Sequence, residues 1–215
     1  SWWPGPCWAS EVAGPPFGIV LAAGGGSRMG RPKMLLPVGG HPLLQHVVDA
    51  GVEAGLRPLA VVLGAGAAEV AAALRLPPGA AIVRCPDWAE GQSASLRAGL
   101  TAAPPDAGAA VILLGDQPEV RPEAVRALLE ARRLRGAPAA RAAYRGRPGH
   151  PVLLGRETWP ALMRLRGDAG ARGPLAALPG GVELVEVGGD PPADVDTPED
   201  YARLLERTGA SPAQS

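Results

Sequence analysis

The sequence predicts an α/β fold, a single doubly wound domain with a mostly parallel sheet and helices on both faces. Three observations predict it. From Phe17 onward, short apolar runs alternate with alanine-rich amphipathic stretches, the β-α-β-α rhythm of this class. The runs are apolar throughout rather than alternating, which marks parallel strands covered on both faces. The length of 215 residues suits one ordinary α/β domain, able to bury its core without a disulfide or metal staple.

Each element has its own signal. FGIVLA (17–22) reads as the first buried strand, and PLLQHVVDAGVEAG (42–55) as a helix ending in glycine. PLAVVLG (58–64) is a second strand, AAEVAAALR (67–75) a helix, and AAIVR (80–84) a third strand. SASLRAGLTAA (93–103) is helical, AAVILLGD (109–116) a very apolar strand, and RPEAVRALLEARRLRG (121–136) a helix. The rhythm then loosens. PAARAAY (138–144) and HPVLLGR (150–156) read as a pair of strands, TWPALMRL (158–165) and ARGPLAAL (171–178) as helical, and VELVEVG (182–188) as another strand. TPEDYARLLERTG (197–209) closes the chain as a helix. Thr197 suits its N-cap, Pro198 its first position, and Asp200 the other half of a capping box. Residues 1–16, rich in tryptophan and proline, read as a leader outside the fold, residues 17–206 as the domain and residues 207–215 as a tail.

Composition narrows the function. Basic and acidic residues number 21 each, a formal charge of zero, which argues against a nucleic-acid groove or a membrane-surface patch. No apolar stretch approaches the roughly 20 residues of a membrane span. Cys7 and Cys85 are too few for a disulfide framework or a thiolate zinc site and imply a reducing, cytoplasmic setting. Alanine, glycine, proline and arginine dominate, as GC-rich codons would dictate, whereas lysine occurs once, at Lys33.

Ligands of an open parallel sheet bind beyond the carboxyl ends of its strands. The first strand runs into LAAGGGSRMGRPK (21–33), whose consecutive glycines let the backbone approach a polyphosphate closely. Walker A fails here, because Gly30 is followed by Arg31 and Pro32. The GxGxxG fingerprint fails too, with Met29 in place of its last glycine. A lysine retained where arginine has replaced nearly every other one suggests a need for a compact charge on a flexible stem. With Arg28 and Arg31 beside it, Lys33 points to a nucleoside triphosphate. Asp116, at the tip of the fourth strand in LLGDQP, suits a hard divalent cation, with a cap on the following turn as the alternative. Asp194, Asp196 and Glu199 form a second carboxylate group, for which helix capping is the simpler explanation. In CPDWAEGQSASLRAGL (85–100), Gly91, Gln92, Ser93 and Ser95 offer contacts to a base and sugar, with Ser93 alternatively a helix cap. His150, isolated in GRPGHPVLLGR (146–156), is either a hydrogen-bonded structural residue or a catalyst, the structural role being the commoner one.

Taken together, LAAGGGSRMGRPKMLLPVGGHPLLQH, GQSASLRAGL, LLGDQP, RPGHPVLLGR, GDAGARG and DVDTPEDY resemble the MobA-like nucleotidyltransferases, and within them the molybdenum cofactor cytidylyltransferase (MocA-like) branch. The resemblance spans residues 17–206. The guanylyltransferase branch usually reads LAGG and carries asparagines before TPED, whereas this chain has Leu21-Ala22-Ala23-Gly24 and Asp194-Val195-Asp196.

The resemblance implies a Rossmann-like domain that transfers CMP from CTP to the terminal phosphate of Mo-molybdopterin and releases pyrophosphate. It implies Arg28, Lys33 and Asp116 as catalytic groups. It implies nucleotide contacts from Leu21, Ala22, Ala23, Gly24, Gly25, Arg28, Lys33, Asp87, Gly91, Gln92, Ser93 and Asp116. Magnesium would be held by Asp116 and Asp196, with Asp194 the alternative to Asp196. Arg147, His150 and Arg172 are expected on the acceptor side, and a molybdenum hydroxylase is an expected client. A guanylyltransferase, a transferase using another phosphorylated acceptor, and a non-catalytic carrier of the finished cofactor are the competing readings.

Overall fold

The computed structural model describes residues 14–24, 32–167 and 181–210. In chain order the strands are β1 (Pro16–Ala22), β2 (Pro37–Val38), β3 (His41–Pro42), β4 (Leu59–Leu63), β5 (Ala80–Arg84), β6 (Ala109–Leu114), β7 (Ala139–Tyr144), β8 (Arg147–Gly155) and β9 (Glu183–Glu186). The helices are α1 (Leu43–Glu53), α2 (Ala67–Ala73), α3 (Gln92–Thr101), α4 (Pro122–Arg135), α5 (Trp159–Leu162) and α6 (Pro198–Thr208). A seven-stranded sheet runs in the order β5-β4-β1-β6-β8-β7-β9, and β2 pairs with β3 in a separate ribbon. The α/β class and the mostly parallel, doubly wound architecture are those expected, with one antiparallel strand, β8, set between β6 and β7. No helix among the described residues is long and apolar enough to cross a membrane.

Because successive strand residues point to opposite faces, a strand apolar at every position feeds two cores. Val20, Val61, Val111 and Leu113 face one layer with Leu44, Val47 and Val48 of α1, Val70 of α2 and Val125 and Leu128 of α4. Ile19, Ala60, Val62, Ala110 and Ile112 face the other, with Leu96 and Leu100 of α3 and Trp159 and Leu162 of α5. A small third cluster lies apart from these. Leu36, Val38, Leu43, Val195 and Leu204 join the ribbon to α6.

The loosened rhythm after residue 137 has a structural reason. β7 and β8 form a hairpin turned at Arg145 and Gly146, both with positive φ (52° and 77°), so β8 returns antiparallel and starts at Arg147, three residues before its expected start. The other elements fall within a few residues of their expected bounds. The helix expected at 171–178 lies outside the described residues. Two expected domain limits move. Pro16, assigned to the leader, pairs with Ala109 in β1. Arg207 and Thr208, assigned to the tail, complete α6, which Gly209 ends in the left-handed conformation.

Candidate functional site

β1, β4 and β6 deliver their carboxyl ends to one place, and two glycines allow the chain to close up there. A Cβ on Gly115, just after β6, would stand 2.7 Å from the Ala22 Cβ. One on Gly64, after β4, would stand 2.5 Å from both the Ala23 carbonyl oxygen and the Trp88 side chain. The Gly115 N–H donates to the Leu21 carbonyl (2.9 Å) and the Ala65 N–H to the Ala23 carbonyl (3.3 Å). Ala22 and Ala23 are thereby buried, and Gly24 emerges exposed at the tip.

Asp116 follows Gly115 directly. Lys33 lies across from it, on a single 3-10 turn, Lys33–Leu35. Its ammonium donates to Asp116 Oδ2 and to Asp196 Oδ1, each at 2.7 Å. The lysine side chain is 9% exposed, against 22% for Asp116 and 55% for Asp196. Burial opposes its charge, but the two carboxylates outweigh that, Asp116 foremost, and hold the lysine pKa above its ordinary value. Three groups far apart in the chain thus meet within hydrogen-bond reach.

Asp196 arrives by a backbone clasp. The Val195 N–H donates to the Asp116 carbonyl (3.0 Å), and the Val195 side chain is buried in the third cluster. Helix capping, the simpler explanation for these carboxylates, accounts for only part of them. Thr197 and Asp200 form the capping box of α6, while Asp196 stands just outside it and turns to Lys33. Asp194 turns elsewhere, accepting from Gln117 Nε2 at 2.8 Å. Desolvation raises the Asp194 carboxyl pKa, the Gln117 bond opposes this, and the negative charges of Asp116 and Asp196 add to it. Gln117 was not singled out in the sequence. Its side chain is buried and its Oε1 finds no partner among the described residues. Nothing in LLGDQP distinguishes it from a turn residue, since its partner lies 77 positions away.

The segment after β5 differs from expectation. Asp87 and Gln92 are exposed, and Gly91, at φ 109°, is itself the N-cap of α3. Ser93 is neither that cap nor an open contact. It is 2% exposed, and its hydroxyl accepts from Arg97 (3.1 Å), which also binds the Leu165 carbonyl. Ser95 is likewise buried. Helical geometry turns Ser93 to the side of Leu96 and Leu100, three and seven residues on, and sets Ser95 in line with Gly99, which packs against Ile19 and Val62 of the sheet.

The β7–β8 hairpin brings further groups to the same end of the sheet. Because β8 runs antiparallel to β6, with Ile112 paired to Val152, its first residues, Arg147 and His150 among them, lie toward the end of the sheet at which β6 runs on to Asp116. His150 is half-buried. Burial, with help from the Arg141 guanidinium, pushes its pKa down to about 4, so it is uncharged at neutral pH. Its carbonyl accepts from the Tyr144 hydroxyl (2.6 Å). Arg147 is exposed and makes no ion pair among the described residues. Gly25, Arg28, Arg31 and Arg172 lie outside the described residues.

Asp116 and Asp196 offer hard carboxylate oxygens, the donor type that magnesium and manganese prefer. Two such groups suit a cation that takes its remaining ligands from phosphates and water. No group of three or more His, Cys, Asp or Glu side chains arranged to hold a metal occurs among the described residues.

Comparison with known proteins identifies the family and fold. The profile of the MobA-like NTP transferase domain matches residues 18–182. A nicotine blue oxidoreductase of Paenarthrobacter nicotinovorans is 35% identical over 87% of this chain and 95% of its own length. The crystal structure of Rv0371c from Mycobacterium tuberculosis H37Rv is 36% identical, with TM-score 0.81, over 90% of this chain and 99% of that one. A structure of Rv0371c in complex with manganese matches at 34% identity and TM-score 0.76, over 90% of this chain and 99% of that one.

Proposed function

The chain belongs to the MobA-like NTP transferase family, and from that premise we propose that it is a molybdenum cofactor cytidylyltransferase. It would transfer CMP from CTP to the terminal phosphate of Mo-molybdopterin, with magnesium. The observation that carries this reading is the double contact of Lys33 with Asp116 and Asp196, each at 2.7 Å, where the central strands end.

In the proposed reaction an oxygen of the acceptor phosphate attacks the α-phosphorus of CTP. The new P–O bond forms as the bond to the β-phosphate oxygen breaks, and pyrophosphate leaves with that electron pair. Both partners are anions, so alignment and charge neutralisation are the protein's main tasks. The acceptor oxygen is already ionised, so no side chain needs to act as general base. Asp116 and Asp196 would hold magnesium, which supplies Lewis-acid stabilisation of charge on the phosphates. Lys33 and Arg28 would neutralise the triphosphate, and the backbone of Leu21 to Gly25 would bind base, ribose and phosphates. Asp87, Gly91 and Gln92 would border the nucleotide. Arg147, with Arg172, would bind the acceptor as a cation, and His150 as a neutral hydrogen-bonding group. A molybdenum hydroxylase would receive the product.

The deciding experiment measures pyrophosphate release by the purified protein with Mo-molybdopterin and each of the four nucleoside triphosphates, with magnesium. Release with CTP is the expected result. Release with GTP alone transfers the reading to the guanylyl branch. Product binding with no release from any triphosphate supports the carrier.

The relative named nicotine blue oxidoreductase favours a second reading, a redox reaction on such a pigment. Reduction would require a hydride donor such as NADH or NADPH. Consumption of that donor on adding nicotine blue, with no pyrophosphate release from any triphosphate, would establish it instead.

A further inference from the structure

We propose that Lys33 is a latch: its ammonium sits where a divalent cation binds, so the metal enters well only together with a nucleotide whose phosphates draw the lysine away. This rests on reading Asp116 and Asp196 as the metal-holding pair. It goes further by assigning an order and a mutual dependence to the binding events.

The first argument is competition for the same oxygens. Lys33 Nζ lies 2.7 Å from Asp116 Oδ2 and 2.7 Å from Asp196 Oδ1. No other cation pairs with either carboxylate among the described residues. A second cation bound to those oxygens would be repelled at close range by the ammonium already there. The lysine and the metal therefore exclude one another.

The second argument is what the lysine needs when it leaves. Its side chain is 9% exposed, and a buried ammonium stripped of both carboxylates is strongly disfavoured. A metal ion arriving alone displaces Lys33 without giving it a new counter-charge. A triphosphate provides one, and the flexible four-carbon stem lets the ammonium exchange a carboxylate for a phosphate oxygen. Metal and nucleotide thus assist one another, and by linkage the assistance is equal in both directions.

The third argument concerns residue type. This chain uses arginine at all its basic positions but one. An arginine fork would grip a carboxylate through two parallel hydrogen bonds and stay there. A lysine makes single, rotatable contacts and lets go. The exception falls where release is required.

Manganese, titrated into the purified full-length protein and followed by electron paramagnetic resonance of the free ion, tests this without turnover. Wild-type protein should bind Mn²⁺ about tenfold or more tightly when a non-hydrolysable CTP analogue is present, after correction for the ion held by the analogue alone. Lys33→Met should bind Mn²⁺ without nucleotide about tenfold or more tightly than wild type, and lose most of the nucleotide effect. Equal or weaker Mn²⁺ binding by folded Lys33→Met overturns the latch. Should that variant fail to fold, Lys33→Arg serves: it should keep the fold and bind Mn²⁺ poorly even with the analogue, and wild-type behaviour would overturn the proposal. The metal reading itself fails separately, and takes the latch with it, if Asp116→Asn leaves Mn²⁺ binding in the ternary complex unchanged.

Discussion

The two halves of the sheet meet at β6 and treat charge in opposite ways. On the parallel side, β5-β4-β1-β6, the ionisable groups at the carboxyl ends are matched in advance, Lys33 lying between Asp116 and Asp196 at 2.7 Å from each. On the mixed side, β8-β7-β9, Arg147 stands exposed at a hairpin end and His150 is uncharged. Arg145 pairs with Asp190 only in an exposed contact of 3.2 Å, a kind that contributes little. Side chains matched before a ligand arrives suit a step in which charge has to be stabilised. Side chains left open suit recognition of a ligand that brings its own charge. On the proposed function, the parallel half does the chemistry and the mixed half selects the acceptor.

The test most able to break this division is loss of a matched charge. Asp116→Ala and Lys33→Ala should each lower kcat/KM for pyrophosphate release by roughly a hundred- to a thousandfold, since each removes charge facing the reacting phosphates. Circular dichroism should show the fold retained. Turnover unchanged in both variants would end the assignment of chemistry to this half.

A smaller effect probes how the matched groups are mounted. Asp116 extends from the main sheet, whereas Asp196 adjoins Val195 of the third cluster, where Leu204 is fully buried. The Tyr201 hydroxyl donates to the Pro37 carbonyl (2.6 Å), and Arg207 makes a two-pronged contact with Glu119, so α6 is tied both to the ribbon and to the loop after β6. Leu204→Ala should destabilise the protein by about 2–5 kcal/mol in urea unfolding. In the surviving folded fraction it should raise the magnesium concentration needed for activity while leaving the KM for acceptor unchanged. An acceptor KM that moved instead would show that α6 serves the other half. Arg147→Ala supplies the mirror image, an acceptor KM raised about tenfold with the KM for CTP unmoved, the scale expected for one lost charged contact. Equal shifts in both constants would blur the division.

The same division decided what could be read from the sequence. Strands buried on both faces are apolar at every position, so β1, β4 and β6 stood out, and the glycine loop with its lone lysine and Asp116 followed from where those strands end. Asp196 was legible only through resemblance, because its partner Lys33 is 163 residues away and its neighbours Thr197 and Asp200 fully explain a helix cap. Gln117 was missed for the same reason of distance. The helix cap offered by Ser93 is not realised, because a polar residue at a helix start is ambiguous until the helix is placed: Gly91 takes the cap position and Ser93 is buried. The hairpin was expected in outline, but its positive-φ turn at Arg145 and Gly146 carries no Asn-Gly signal in a chain without asparagine.

The finest distinction between the halves is a pH dependence. An exposed histidine facing phosphates would gain a proton near its ordinary pKa of 6.5 and bind the acceptor more tightly as pH falls through that value. His150 has its pKa pushed down to about 4, first by burial and then by Arg141, so acceptor KM should show no inflection from it between pH 5.5 and 8, limits of roughly a unit or more above the shifted value. Stability should respond instead. The folded state holds the neutral ring, so the unfolded chain takes up the proton first on acidification, and the contribution of His150 is complete above about 6.5 and declines as pH falls toward 4. His150→Gln keeps a neutral hydrogen-bonding side chain but cannot take up that proton, so it should flatten the stability profile across this window and leave the neutral-pH acceptor KM within about twofold, less than the loss of one net hydrogen bond. An acceptor KM in the wild type that falls on acidification near pH 6.5, and does not fall in the variant, would make His150 a charged phosphate contact and bring the mixed half into line with the parallel one.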